Sequence, residues 1–165
     1  MNQSYAEAGV ARKNTASTIA LKVLMIALIA AGAILILGGG LLTIIGAVLV
    51  VVMSFLLPRL NVEYVYIYVD GQIDFDRITG KSRRKTLFRV DLEQVEIIAM
   101  QGSHALDPYK NMQCVKMDFT SRDKDAKPYI AVASKEGKKY MIAFEPNELM
   151  LNLIKQKSAR KLVQY

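Results

Sequence analysis

Ser103, His104 and Asp107 fall close together in "GSHALDPYKN". A hydroxyl, an imidazole and a carboxylate at such short range invite a hydrolase reading. Nucleophilic catalysis, however, needs the three groups in a line of hydrogen bonds built by the fold, and closeness along the chain supplies no such line. No nucleophile-elbow pattern accompanies them. His104 is the single histidine and Cys114 the single cysteine. With one carboxylate they fall short of the three or four ligands a zinc site requires. The expectation is no catalytic residue, no metal ligand and no cofactor, with the hydrolase kept as a remote alternative. The plain reading is a capped turn in which Ser103 or Asp107 bonds local backbone, Pro108 sets the bend, and His104 or Tyr109 packs on a sheet. The functional reading is a partner-recognition loop presenting Ser103, His104, Asp107 and Tyr109.

The second group with chemical potential is "KSRRKTLFR", which places Lys81, Arg83, Arg84, Lys85 and Arg89 in one short stretch. A guanidinium offers a planar fork to phosphate oxygens. Such a turn suits anionic lipid head groups or a phosphorylated partner; the competing reading is a solvated face that only orients the protein. The formal net charge of the chain is +7, divided between an amino-terminal part and the segment from Leu60 onward. That balance suits an anionic membrane surface and lacks the dense basic stripe of a nucleic-acid footprint, so no nucleic-acid partner is expected.

The elements that carry these residues divide sharply. Between Val23 and Leu57 no residue is charged. A continuous helix from Ile19 to Leu57 would be about 58 Å long at 1.5 Å per residue, nearly twice the roughly 30 Å hydrocarbon core. Gly38-Gly39-Gly40 divides the run into spans at 18–37 and 41–57, and glycine is the poorest local choice for continuing a helix. The expectation is an amino-terminal cytoplasmic arm (1–17), a transmembrane helical hairpin (18–58) and a cytosolic domain (59–165). Tyr5, Ala8, Val10 and Ala11 of the arm suit a short interfacial helix or disorder. Small residues at Ala27, Ala31, Thr43 and Ala47 suit close packing within the hairpin, with homo-oligomerisation through the same face left open. Arg12 and Lys13 before the first span, Lys22 at its start and Arg59 after the second place both termini in the cytoplasm of a multi-pass plasma-membrane protein. A lone cysteine agrees with a reducing compartment.

Beyond Arg59 the pattern becomes that of strands. "NVEYVYIYV" and "QIDFDRI" flank Asp70-Gly71, a strong two-residue hairpin signal. "RKTLFRV", "VEIIAM", "MQCVKMDFT", "YIAVAS" and "KYMIAF" follow, the last two across Glu136-Gly137-Lys138. "EPNELMLNLIKQKSARK" reads as an amphipathic helix with Pro146 in its first turn and Leu149, Met150, Leu153 and Ile154 as its apolar stripe. Seven short strands and one helix predict a strongly bent antiparallel sheet or small barrel capped by the carboxyl-terminal helix.

The stretch "YVYIYVDGQIDFDRITGKSRRKTLFRVDLEQVEII" resembles the pleckstrin-homology-like superfold, especially its bacterial membrane-attached version, in which an apolar hairpin precedes the sheet. "GSHALDPYKN" with "FEPNELM" resembles an uncharacterised family of small two-span bacterial membrane proteins. The resemblance implies an α+β membrane protein: a helical hairpin followed by a PH-like domain. It brings no known activity; the expectation for the whole chain is a non-enzymatic binding or scaffolding module at the inner membrane face. Expected partners are the lipid bilayer and an unidentified membrane or cytosolic protein, with anionic-lipid sensing through the 81–89 turn as the alternative.

Overall fold

The computed structural model describes residues 4–80 and 83–163. Chain contacts divide them into two compact units. One comprises Lys13–Val62 with the described residues of Thr79–Arg83; the other holds the described residues before Lys13, Glu63–Ile78 and those from Arg84 onward.

The first unit contains α1 (Ala16–Leu37) and α2 (Leu41–Leu56); α1, and α2 taken with the turn that follows it to Leu60, are long and apolar enough to cross a bilayer. Only 11% and 6% of their most apolar windows are buried, so neither is the covered core helix of a globular protein. Gly39 and Gly40 take φ of +72° and +59° and reverse the chain. The closest approach of the helices is at Gly32 and Gly46. A Cβ at Gly46 would lie 2.5 Å from the Gly32 carbonyl oxygen and 2.9 Å from the Ile36 nitrogen. Of the small residues expected at this seam, Thr43 reaches the Ile36 carbonyl at 3.1 Å. Ala27, Ala31 and Ala47 are exposed instead. A short 3₁₀ turn, Leu57–Leu60, closes the hairpin around Pro58.

The second unit is built from nine strands among the described residues and two further helices. They are β1 (Tyr5–Ala11), β2 (Val62–Val69), β3 (Gln72–Thr79), β4 (Arg83–Asp91), β5 (Val95–Met100), α3 (Asp107–Lys110), β6 (Val115–Asp118), β7 (Tyr129–Lys135), β8 (Lys138–Phe144), α4 (Glu148–Ser158) and β9 (Leu162–Val163). The predicted single bent sheet or barrel of seven antiparallel strands is not what forms. Two sheets form instead, ordered β1-β2-β3-β4 and β6-β8-β7-β5-β9, with no closed barrel among the described residues. The second sheet is mixed, because β6 runs parallel to β8 and β9 parallel to β5. The break lies at 91–94, where Asp91 and Gln94 form a reciprocal capping box around a 3₁₀ turn. That turn takes the chain off the first sheet, so β4 remains an edge and β5 pairs with β7 and β9.

The expected hairpins do form: Asp70-Gly71 joins β2 to β3, and Glu136-Gly137 joins β7 to β8 with Lys135 opposite Lys138. The arm is the larger correction. Tyr5–Ala11 is a strand, paired antiparallel with β2 from Tyr5↔Val69 to Ala11↔Glu63. Its inward residues, Ala6 and Ala8, are buried, but alanine and glycine lack the β-branched signature that marks a strand in sequence.

The core joins both sheets to α4. Tyr66 packs edge-on against Phe75 and Phe144, and Phe75 stacks on Phe119 at 5.0 Å between centroids. Burial pushes the Tyr66 hydroxyl well above its ordinary range, and it donates to the Phe119 carbonyl. From α4, Met150 and Ile154 enter this core while Leu149 stays exposed. Asn147, not Pro146, begins that helix: its Oδ1 accepts from the Met150 nitrogen and its Nδ2 donates to the Glu7 carbonyl of β1.

Gly46→Ala should lower the thermal midpoint of the protein in detergent micelles by the equivalent of about 1–3 kcal/mol, since the colliding atoms are backbone and cannot yield. Gly39→Ala meets no atom within 4 Å and should cost only the strain of a left-handed alanine, about 1 kcal/mol. Equal losses in the two variants would contradict the glycine seam.

Candidate binding surfaces of the sheet unit

β4 carries most of the basic stretch, and its side chains face an acidic neighbour. On β3, Asp74 is half-buried and Asp76 buried. Arg89 donates to both oxygens of Asp74, from Nε at 2.7 Å and Nη2 at 2.6 Å. Arg84 reaches the Oδ2 of Asp76 at 2.5 Å and approaches Glu7 of β1 at 3.8 Å. The hydrogen bonds to these carboxylates hold both guanidiniums more firmly protonated than usual. Bidentate and charge-assisted contacts of this kind fix side chains as well as charge. Asp76 also leaves Oδ1 buried with no hydrogen-bond partner. Two of the five predicted basic residues are thus absorbed as cross-strand pairs. Arg83 and Lys85 stay exposed without ion pairs among the described residues, Arg83 belonging to the hairpin unit. Lys81 lies outside the described residues.

The 101–111 loop is a capped turn with a buried plug. Ser103 Oγ accepts from the Ala105 nitrogen at 3.3 Å and starts a 3₁₀ turn that runs into α3. Leu106 drops into a cluster with Ala99, Ile130 and Val132. Asp107 holds His104 Nδ1 at 3.1 Å and Lys110 Nζ at 2.6 Å, and these partners, Lys110 foremost, lower its pKa. His104 projects fully into solvent. Ser103 serves the turn and the imidazole stands outside any enclosed site, so the loop does not assemble a triad geometry. No cluster of metal-ligating side chains occurs among the described residues.

Tyr109 connects this loop to the second sheet. Lys139 Nζ lies over its ring, 5.6 Å from the centroid, and burial and the Glu96 charge raise its pKa. Glu96 also accepts from Ser134 Oγ at 2.7 Å and Lys139 Nζ at 3.1 Å, and the Ser134 bond is the chief reason its pKa is lowered.

A further surface is a polar cleft of about 570 Å³ lined in part by Gln101, Thr120, Arg122, Lys124, Lys127 and Glu145. Arg122 takes φ of +59° there and is held by Asp118, which also pairs with Arg12. Left-handed backbone at a non-glycine residue is costly and persists only where its surroundings impose it. Ser121 bonds Glu145 through both nitrogen and hydroxyl, fixing the rim. The alternating signs of "SRDKDAK" hid this cleft, because its walls come from β5, the 119–128 loop and the end of β8.

A family model described as a bacterial PH-like domain, DUF6106, matches residues 2–164. The chain belongs to that family. The match includes the apolar hairpin as well as both sheets. No curated protein matches the chain. Membership in a PH-like family supports a binding or scaffolding role in general.

Two measurements check the loop of this PH-like domain. Leu106→Ala should destabilise it by about 2–4 kcal/mol, as for other buried leucines, whereas His104→Ala should change stability by less than about 0.5 kcal/mol. Glu96 has a depressed pKa in the folded state, so its contribution is complete above the ordinary glutamate range and disappears as pH falls through the folded value. The thermal midpoints of the parent and Glu96→Gln should therefore differ most at neutral pH and converge in acid.

Proposed function

We propose that this chain is a membrane-anchored, non-enzymatic binding module that presents its PH-like domain at the inner face of the plasma membrane. The observation that carries this reading is the pairing of β1 with β2. The chain leaves the sheet after Ala11, runs out and back through two exposed apolar helices, and re-enters the same sheet at Val62. Both ends of the hairpin therefore belong to one side of any bilayer that it crosses. The pairing also speaks against a cleaved leader, since removing the segment before β2 would strip β1 and its Glu7–Asn147 bond from the domain. Lys13, Lys22 and Arg59 at the open end of the hairpin, with no charge at Gly38-Gly39-Gly40, favour the cytoplasmic side for the domain.

The recognition surface in this reading is the face formed by Ser103, His104, Asp107 and Tyr109 together with the neighbouring polar cleft. Their partner is a membrane or cytosolic protein. An exposed imidazole, a rim of lysines and a rigid loop suit a polar protein surface better than an enclosed substrate.

Topology reporters test the anchoring. A reporter inserted at Gly39 should read extracytoplasmic and one fused after Tyr165 cytoplasmic, with the protein resisting alkaline extraction from membranes. The same compartment at both sites, or release by alkali, would overturn the crossing hairpin.

A further inference from the structure

We propose that the open end of the helical hairpin is a binding site for the phosphate groups of anionic lipids, formed by Lys22, Arg59 and Arg83. This deepens the membrane-anchored reading and rests on it. It moves the lipid contact from the 81–89 stretch, where the sequence suggested it, to the end of the hairpin, and keeps only Arg83 of that stretch.

The segments 13–62 and 79–83, which form one compact unit, contain Lys13, Lys22, Arg59, Lys81 and Arg83 and no Asp or Glu. Charge in this unit has no internal carboxylate to meet. Lys22, in the second turn of α1, donates to Asn14 Oδ1 at 2.6 Å and Asn61 Oδ1 at 2.7 Å. Both acceptors are neutral amides, so the ammonium is held in place with its charge intact, and an ammonium has three donors to share. Asn61 follows α2, and the Lys22 bridge thereby ties the two ends of the hairpin together.

Arg59 lies at the same end. Its guanidinium stacks on the Phe55 ring, 4.2 Å from the centroid. A stacked guanidinium still points its N–H fork outward in the ring plane, the geometry that suits phosphate oxygens. The turn after β3 is fastened here too: the Gly80 nitrogen donates to the Asn61 carbonyl at 3.2 Å, and a Cβ at Gly80 would lie 3.7 Å from the Arg59 Cα. Arg83 follows three residues later, exposed and without an ion pair among the described residues. The contrast with its neighbours is chemical, since Arg84 and Arg89 are held by Asp76 and Asp74.

What covers this end follows from what adjoins it. The faces of α1 and α2 are exposed Ile, Leu and Val, which only acyl chains would solvate, and the head-group layer begins where those faces end. A cluster of cations at that depth meets lipid phosphate, and anionic lipids meet it best.

The test uses the full chain reconstituted in vesicles of phosphatidylcholine mixed with phosphatidylglycerol. Spin-labelled analogues of each lipid report, from the motionally restricted component, their relative association with the protein. The parent should prefer phosphatidylglycerol, and the preference should fall with added salt. Arg59→Ala with Arg83→Ala should reduce it, about fivefold for each cation lost, while Arg59→Lys with Arg83→Lys should keep most of it. Lys85→Ala should leave it unchanged. Equal association of the two lipids with the parent would overturn the proposal while leaving the anchor intact; no restricted component at all would overturn the anchor. A loss in Lys85→Ala matching that of the double alanine variant would return the site to the 81–89 stretch as a whole and overturn the hairpin site. Inorganic phosphate abolishing the preference at constant ionic strength would assign a soluble anion and overturn the lipid site.

Discussion

The antiparallel pairing of β1 with β2 is the constraint on which the rest of this structure depends. Seven residues before the hairpin are matched with seven after it, from Tyr5↔Val69 to Ala11↔Glu63. A chain with both ends sewn into one sheet must return whatever it sends out, and the segment between these strands is a pair of antiparallel helices. The same pairing covers an edge of β2 that would otherwise offer unsatisfied backbone groups to another chain. It also carries Glu7 to the Asn147 cap of α4, so the amino-terminal strand contributes to seating the carboxyl-terminal helix.

Electrostatics in the two units follow opposite rules. Within the sheets, cations and carboxylates are matched: Arg84 with Asp76, Arg89 with Asp74, Arg12 and Arg122 with Asp118, Lys139 with Glu96. Most are partly exposed pairs of modest individual worth, which orient strands more than they stabilise them. The hairpin unit has cations alone. Lys22 is held by two amides and Arg59 by a ring, arrangements that position a charge without cancelling it. A charge kept that way is available to a ligand; one already paired must first lose a partner.

Much of the domain was legible because its signals are local. Asp70-Gly71 and Glu136-Gly137 specify tight turns through the φ angles they tolerate, and the alternating Tyr64, Tyr66 and Tyr68 supply a buried face. β1 was not legible, since Ala6, Ala8 and Gly9 become a strand only because β2 presents an edge. The division into two sheets was also hidden, because it turns on which strand β5 selects. The capping box at Asp91 and Gln94 decides that by redirecting the chain. Among the candidate site residues, sequence grouped Lys81, Arg83, Arg84, Lys85 and Arg89 by adjacency. The fold separates Arg84 and Arg89, opposite the β3 aspartates, from Arg83 in the hairpin unit.

Sequence alone determined that a charge-free run too long for one crossing must fold back at its glycines, and that the rest is a sheet protein capped by a helix. These follow from chain length, hydropathy and turn chemistry, properties that need no distant partner. Tertiary structure decided which arginines are already paired, that Ser103 caps a turn while His104 projects into solvent, and that the arm completes the sheet. Those depend on contacts between residues far apart in the chain, such as Arg12 with Asp118 and Lys22 with Asn61, and no local pattern encodes which of many complementary groups the fold will bring together.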